Sequence, residues 1–199
     1  MSKLAMLPFQ PGKTRGVTGA TDDAYLEGQE FEVEFRDYSQ KSAPDYGICI
    51  GEKTRLRVVR NSAASTLGTK RLVTFKTGTG QGQVDGYCTT TAQSAYPVDP
   101  WLAAAVAVND LFYIVVKGPT LILTDLAAGA NNLLPSETVV VALTAATSGA
   151  TTAGRIAPQD LTGATALLGA QLQNRIGVMV SAATTANTNT GYLVNVKKW

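Results

Sequence analysis

The segment Glu30-Phe31-Glu32-Val33-Glu34-Phe35-Arg36 shows the strictest alternation of apolar and charged residues in the chain. Its three apolar side chains fall on one side of an extended strand and its charged side chains on the other. A second segment, Thr54-Arg55-Leu56-Arg57-Val58-Val59-Arg60, alternates similarly but carries a basic side. We therefore expect two β-strands, each with one face against a core.

The opposite charges of these two strands allow two arrangements. If the strands pair, within the chain or between subunits, the acidic side meets the basic side. Each cross-strand charge pair then helps to fix the register and contributes about 0.2–1 kcal/mol. In the alternative arrangement, both charged faces lie in solvent and the strands never meet. The sequence leaves both arrangements open.

Further apolar segments extend the β pattern along the chain. We expect strands within 70–76, 138–143, 175–180 and 192–196. The apolar runs 111–116 and 121–124 flank Gly118-Pro119 and predict a hairpin that is buried on both faces, with Pro119 in its turn. Segments 141–154 and 179–191 resemble each other, and they predict two similar hairpins with small polar loops.

Helical signals are few. Leu161, Leu168 and Leu172 have helical spacing within 161–173, although two glycines in that segment oppose a helix. The sequence Asp99-Pro100-Trp101 predicts a short helical turn with Pro100 in its first position. The sequence therefore predicts a mainly β chain, either a small β-barrel or a sandwich, with one short helix.

The N-terminal region differs from the rest of the chain. Residues 1–24 contain two prolines and three glycines and show little periodicity, which predicts an extended arm without a core of its own. Residues 1–60 hold 18 of the 32 charged residues, whereas residues 118–196 hold five. We expect an N-terminal arm over residues 1–28 and a β-rich domain over residues 29–199.

The composition excludes several classes of active site. The 199-residue chain contains no histidine, which removes Ser-His-Asp and Cys-His catalysis and histidine-ligated zinc. Its 17 basic and 15 acidic residues give a net charge of +2, without the basic excess of a protein held by phosphate contacts. Cys49 and Cys88 are compatible with one disulfide, but their spacing favours two buried thiols.

Three patterns carry weak chemical signals. The glycine-rich stretch 77–83 has Gln83 where a dinucleotide-binding loop needs its third glycine, so we interpret it as a connection between strands. Asp22-Asp23, with Glu27 and Glu30, can either bind a hard cation or belong to a solvated turn. Other acids are too scattered for the sequence to select a glycosidase pair. We expect no enzyme activity, cofactor or metal.

Targeting signals are also weak. The apolar run before Pro8 is too short for a signal peptide. The most apolar window, 111–128, is interrupted by Lys117, by Gly118-Pro119 and by Asp125, which argues against a transmembrane segment. We expect a protein that is made in a cytosol and that contacts neither membrane nor nucleic acid.

Several segments resemble the head decoration, or cement, proteins of tailed bacteriophages. They are Arg-Leu-Arg-Val-Val-Arg-Asn at 55–61, Lys-Arg-Leu-Val-Thr-Phe at 70–75, Tyr-Pro-Val-Asp-Pro-Trp at 96–101 and Asn-Asp-Leu-Phe-Tyr-Ile-Val-Val-Lys-Gly-Pro at 109–119. The closing pattern, 175–182 followed by a Thr/Asn loop and a valine-rich strand, is similar too. The resemblance covers about residues 50–199 and includes no catalytic motif.

This resemblance implies a small β-barrel or sandwich on the outer surface of a phage capsid, often a homotrimer, whose arm reaches over neighbouring capsomers. It implies the major capsid protein as partner, a virion location and synthesis in the host bacterial cytoplasm. The alternatives are another virion component, such as a tail or spike subunit, and a glycan-acting hydrolase. The arm, the charged strands and the terminal tryptophan supply the expected interface residues: Leu7, Phe9, Arg15, Tyr25, Glu32, Glu34, Arg55, Arg57 and Trp199.

Overall fold

The chain is mainly β, as the alternating segments predict. The computed structural model describes residues 7–17, 23–35, 51–88, 94–124, 134–136, 138–141, 154–158, 175–180 and 191–197. A 3₁₀ turn over Ala24–Leu26 precedes the first strand. The strands are β1 (Glu30–Glu34), β2 (Lys53–Asn61), β3 (Leu72–Phe75), β4 (Gln83–Tyr87), β5 (Ala95–Pro97), β6 (Leu111–Ile122), β7 (Thr138–Val141), β8 (Ile156–Pro158), β9 (Arg175–Met179) and β10 (Tyr192–Val196).

The strands form one sheet that curls into a nearly closed barrel. Its order is β5-β3-β4-β2-β6-β10-β9-β7-β8, and β1 pairs with β2 off this path. Gly154, two residues before β8, links that end of the path to β3 and to the residue after β4: its carbonyl accepts from the Leu72 N–H at 2.6 Å, and its N–H donates to the Cys88 carbonyl at 3.0 Å. The sequence left open a barrel or a sandwich, and the structure is a barrel.

The prediction of a hairpin with its turn at Gly118-Pro119 is wrong, because β6 runs through both residues without turning. Its first part pairs with β2 and its second part with β10. The Pro119 carbonyl accepts from Thr54 Oγ1 at 2.8 Å. The N–H and C=O of one strand residue point the same way, so the side of Pro119 that lacks an N–H faces β2. The backbone pairing of β2 with β6 ends at Lys117, before Pro119. The proline therefore removes no ladder hydrogen bond.

The expected burial of β6 on both faces is confirmed. Leu111, Tyr113 and Val115 belong to one apolar cluster, and Phe112 and Ile114 belong to a second cluster on the opposite face. All five side chains are fully buried. A strand that is covered on both sides gains from apolar residues at every position, which explains the unbroken run Leu-Phe-Tyr-Ile-Val-Val.

The two similar hairpins at the C-terminal end are confirmed in their strands. β7 pairs antiparallel with β8, and β9 pairs antiparallel with β10. The glycine-rich stretch 77–83 links β3 to β4, as interpreted from the sequence. Cys88 is buried, whereas Cys49 lies outside the described residues.

The expected helical segments have different outcomes. Segment 161–173 lies outside the described residues, so the short helix stays a prediction. The helical turn expected at Asp99 is wrong, because Pro100 and Trp101 form a turn that does not continue as a helix. Asp99 Oδ1 accepts from the Trp101 N–H at 2.9 Å, and this local bond satisfies the backbone group without any helix.

Candidate interaction surface

The acidic and basic strands lie side by side and form a ladder of ion pairs. β1 and β2 are antiparallel, with Glu30 opposite Arg57, Glu32 opposite Arg55 and Glu34 opposite Lys53. Their alternation puts Phe31 and Val33 against the core and leaves the charged side chains on the outer face. Of the two arrangements that the sequence allowed, the strands adopt the paired one within a single chain.

The ladder satisfies its charges internally. Arg57 Nε donates to Glu30 Oε1 at 2.9 Å, and Arg55 Nη2 donates to Glu32 Oε1 at 3.3 Å. Lys53 Nζ reaches Glu32 Oε2 at 3.5 Å. The hydrogen bond from Arg55, followed by the charge of Lys53, holds the pKa of Glu32 below its ordinary value. A partner that docks on this face therefore meets paired charges rather than a bare acidic stripe.

Strand β1 has an open edge within the described part of the chain. The Val58 N–H donates to the Gln29 carbonyl at 2.9 Å, and the Phe35 N–H donates to the Glu52 carbonyl at 2.7 Å. Odd-numbered residues of this segment therefore direct their backbone groups toward β2. The backbone groups of Glu30 and Glu32 point the opposite way, and no strand of the described residues pairs with that edge. Such an edge can accept another strand.

The N-terminal segment lies against the body of its own chain. Phe9 stacks on Tyr113, with ring centroids 4.4 Å apart, and the Tyr113 hydroxyl donates to the Phe9 carbonyl at 2.8 Å. Burial raises the pKa of Tyr113 to about 12, so its hydroxyl stays a donor at physiological pH. Leu7 and Val17 also pack against this apolar cluster.

A buried carboxylate holds the next part of the segment. Asp99 is 0% exposed, and its Oδ2 accepts from the Gly12 N–H at 2.7 Å. Burial raises the pKa of Asp99 to about 6 against the opposing effect of the bonds from Gly12 and Trp101. Gly12 has a φ of 82°, and a Cβ there would lie 2.8 Å from the Trp101 carbonyl oxygen. Only glycine permits this close approach.

The segment is fixed again at Arg15. Its backbone exchanges two hydrogen bonds with Leu111, at 2.9 and 3.0 Å, at the start of β6. Its guanidinium binds Asp23 through two hydrogen bonds, at 2.6 and 3.0 Å. A small pocket of about 220 Å³ remains where the segment meets β1, lined by Pro11, Val33, Glu34 and Trp101.

The expected interface residues divide into three groups. Leu7, Phe9 and Arg15 bind the body of their own chain, and Glu32, Glu34, Arg55 and Arg57 form the β1–β2 face. Tyr25 projects into solvent with 71% of its surface exposed, whereas Trp199 lies outside the described residues. The interface assignment itself stays a prediction.

The acids considered for a cation site are directed to separate partners. Asp23 binds Arg15, Glu27 binds Arg60, and Glu30 binds Arg57. Asp22 lies outside the described residues. Within the described ranges, no group of three potential metal ligands occurs. The same part of the chain contains no helix with the length and hydropathy to cross a membrane.

Sequence reasoning missed Asp99 and Tyr113 as the residues that hold the N-terminal segment. An Asp followed by Pro and an aromatic residue is a recognisable signal for a side chain that binds nearby backbone. Its second bond, to Gly12, joins residues 87 positions apart, and no local pattern reports it.

No protein-family model matches the chain, and a search of curated proteins finds no match. The resemblance to decoration proteins therefore stays a prediction drawn from the segments quoted above.

Proposed function

We propose that this protein is a virion structural protein that binds the outer surface of a tailed-phage capsid and cements neighbouring capsomers. The sequence segments that resemble decoration proteins support this function. The open edge of β1, next to the docked N-terminal segment, is the observation that carries it. We assign the capsid contact to this combined surface and the partner to the major capsid protein.

An open edge is an efficient way to bind a protein strand. The backbone groups of Glu30 and Glu32 give a partner strand its hydrogen bonds, while the ion pairs of the ladder leave no bare charge facing it. A partner strand on β1 also removes the edge from solvent and so prevents unwanted pairing between copies. The contact is mechanical, and no chemical step is involved.

The N-terminal segment adds a second attachment. Phe9, Gly12 and Arg15 hold it on the body through one ring stack and a few hydrogen bonds. A segment held by so few contacts can detach from its own barrel and bind a neighbouring capsomer instead. In a homotrimer at a three-fold position, three edges and three arms act together, and multivalent attachment raises avidity well above that of any single contact. Each copy would bury about 1,600 Å² against the shell, the size of a standard interface.

Co-sedimentation tests this function. Purified protein is mixed with expanded capsids that lack it, and bound protein and the thermal stability of the shell are measured. We expect saturable binding and a higher disruption temperature. Absence of co-sedimentation would overturn the proposal. Binding to purified tails but not to capsids would favour the alternative function, that of a tail or spike subunit.

A pair of variants at one position tests the edge. Glu32→Pro removes the outward N–H, whereas Glu32→Ala removes the same ion pairs but keeps that N–H. After circular dichroism has confirmed that both variants fold, we expect the proline variant to lose capsid binding and the alanine variant to retain it. Equal binding by both variants would exclude the β1 edge as the contact.

A further inference from the structure

A second concave site lies away from β1, at the start of β3. It is a pocket of about 380 Å³ whose walls include Thr66, Thr69, Lys70, Arg71 and Tyr87. Lys70 and Arg71 are both half-buried and both line this pocket. Two basic residues thus share one cavity.

The backbone at Lys70 explains why two consecutive side chains share this cavity. Neighbouring residues of an extended chain point to opposite sides. Lys70 has a φ of 59°, in the left-handed region, which breaks the alternation just before β3 begins. This conformation is uncommon outside glycine, asparagine and aspartate, and it is often found at binding sites.

The polar groups of the pocket are held in place before any ligand arrives. The Arg71 guanidinium lies over the ring of Tyr87, 4.9 Å from its centroid. The Tyr87 hydroxyl accepts a hydrogen bond from the Gly68 N–H and keeps its own hydrogen to donate. Thr69 Oγ1 donates to the Asp99 carbonyl at 2.8 Å. Such preorganisation lowers the entropy lost on binding.

Among the residues that the structure describes, the two basic side chains of this pocket lack the carboxylate partners found elsewhere. Arg15, Arg55 and Arg57 each form an ion pair with a carboxylate. Among the described residues, neither Lys70 nor Arg71 lies within ion-pair distance of an acid. Asp99 directs its carboxylate to the N–H groups of Gly12 and Trp101 instead. Within the described part of the chain, the pocket therefore presents two half-buried basic residues without a carboxylate partner.

We propose that this pocket binds a carboxylate side chain from an acidic segment of a partner protein. The guanidinium of Arg71 and the ammonium of Lys70 match an oxyanion in charge and supply hydrogen-bond donors, and the Tyr87 hydroxyl adds another donor. Ala105 and Leu123 add apolar walls, which suit the carbon stem of Asp or Glu better than a bare phosphate. The proposal does not depend on the capsid function, because it rests on a separate surface.

Titration of the full chain with an acidic peptide tests the site. The probe is a blocked peptide with three consecutive glutamates, followed by calorimetry and by the amide NMR signals of Gly68 and Thr69. The variant Lys70→Gln/Arg71→Gln removes both pocket charges. Lys76→Gln/Lys117→Gln is the matched control, because it removes two charges from exposed side chains elsewhere. Inorganic phosphate and a glutamine peptide complete the set.

We expect the acidic peptide to bind and to shift the Gly68 and Thr69 signals, while the glutamine peptide does not. The pocket variant should bind at least about tenfold more weakly, because it lacks two charge-assisted donors, and the control variant should bind as the natural protein does. Single variants at Lys70 and Arg71 serve if the double variant fails to fold. Binding that both double variants weaken equally, no peptide binding, or binding of phosphate without peptide would each overturn the proposal.

Discussion

The Gly12 N–H donates to the Asp99 carboxylate at 2.7 Å across 87 positions of sequence. This bond joins the N-terminal segment to a fully buried acid in the turn before Trp101. The segment that we expect to act as an arm is thus fastened to its own body by a titratable group. Its attachment and the pH dependence of folding are therefore coupled.

The first prediction concerns this pH dependence. Burial raises the pKa of Asp99 from 3.8 to about 6, so the folded protein takes up a proton that the unfolded chain does not bind between these values. This proton uptake stabilises the fold fully below about pH 4, and the gain is lost as the pH rises through 6. We expect the free energy of unfolding to increase by about 2–3 kcal/mol between pH 7 and pH 4 relative to Asp99→Asn.

Urea denaturation at several pH values measures this difference. Subtracting the Asp99→Asn curve removes the opposing effect of Glu32, whose pKa is lowered and whose contribution is lost in acid. Asp85→Asn is the control, because Asp85 is exposed on β4. A difference curve that is flat from pH 4 to pH 7 would contradict the role given to Asp99.

The second prediction concerns the ladder between β1 and β2. A double-mutant cycle with Glu30→Ala and Arg57→Ala should give a coupling free energy of about 0.2–1 kcal/mol, the range for cross-strand and exposed charge pairs. The coupling should shrink in 1 M salt because screening weakens exposed pairs. The same cycle with Lys76→Ala in place of the arginine should give no coupling. Equal coupling in both cycles would show that the register pairs do not interact specifically.

The third prediction concerns Gly118, in the continuous strand β6. Its φ is 98°, and a Cβ there would lie 2.4 Å from the Lys53 carbonyl oxygen. Gly78 also has a positive φ, of 81°, but an added Cβ would meet nothing within 4 Å. Gly118→Ala should lower the free energy of unfolding by about 1–3 kcal/mol more than Gly78→Ala does, because only it adds a clash with backbone.

Thermal unfolding of both glycine variants makes this comparison. The two variants share the strain of a left-handed alanine, so their difference isolates the contact with β2. Equal melting temperatures would mean that β6 does not pass so close to Lys53.

The fourth prediction concerns the attachment of the N-terminal segment. Phe9→Ala removes the ring that stacks on Tyr113 and should lower the free energy of unfolding by about 1–3 kcal/mol. Trypsin should also cleave after Lys13 and Arg15 faster than in the natural protein, because the segment opens more often. Tyr25→Ala, at an exposed position, should stay within about 0.5 kcal/mol of the natural protein. Unchanged cleavage in Phe9→Ala would show that this stack does not hold the segment.

The alternating strands could be predicted because their signal is local. β1 and β2 follow a two-residue period, which predicts strands. Their opposite charges suggested that they pair, one of the two arrangements that the sequence left open. The error at Gly118-Pro119 has the opposite origin. Glycine followed by proline is ordinarily a turn signal, but here both residues serve a strand that crosses from one part of the barrel to another. Whether Gly118-Pro119 forms a turn or continues a strand depends on the neighbouring strands.

The contacts of the candidate surfaces could not be predicted in this way. Asp99 and Gly12 are distant in sequence, and the pocket at Lys70 brings together residues from several segments beside one left-handed backbone position. The composition supports only the expectation that histidine-based catalysis is absent, since a chain without histidine lacks the commonest general base. It gave no indication of which cations would lack a carboxylate partner among the described residues.

Electron cryo-microscopy of tailed-phage particles mixed with the purified protein tests most directly the proposal that this chain cements a capsid. We predict density for the barrel on the outer surface of the capsid, in groups of three, with the β1 edge and the N-terminal segment against the major capsid protein. Density confined to the tail, or particles without the chain on the shell, would contradict the account.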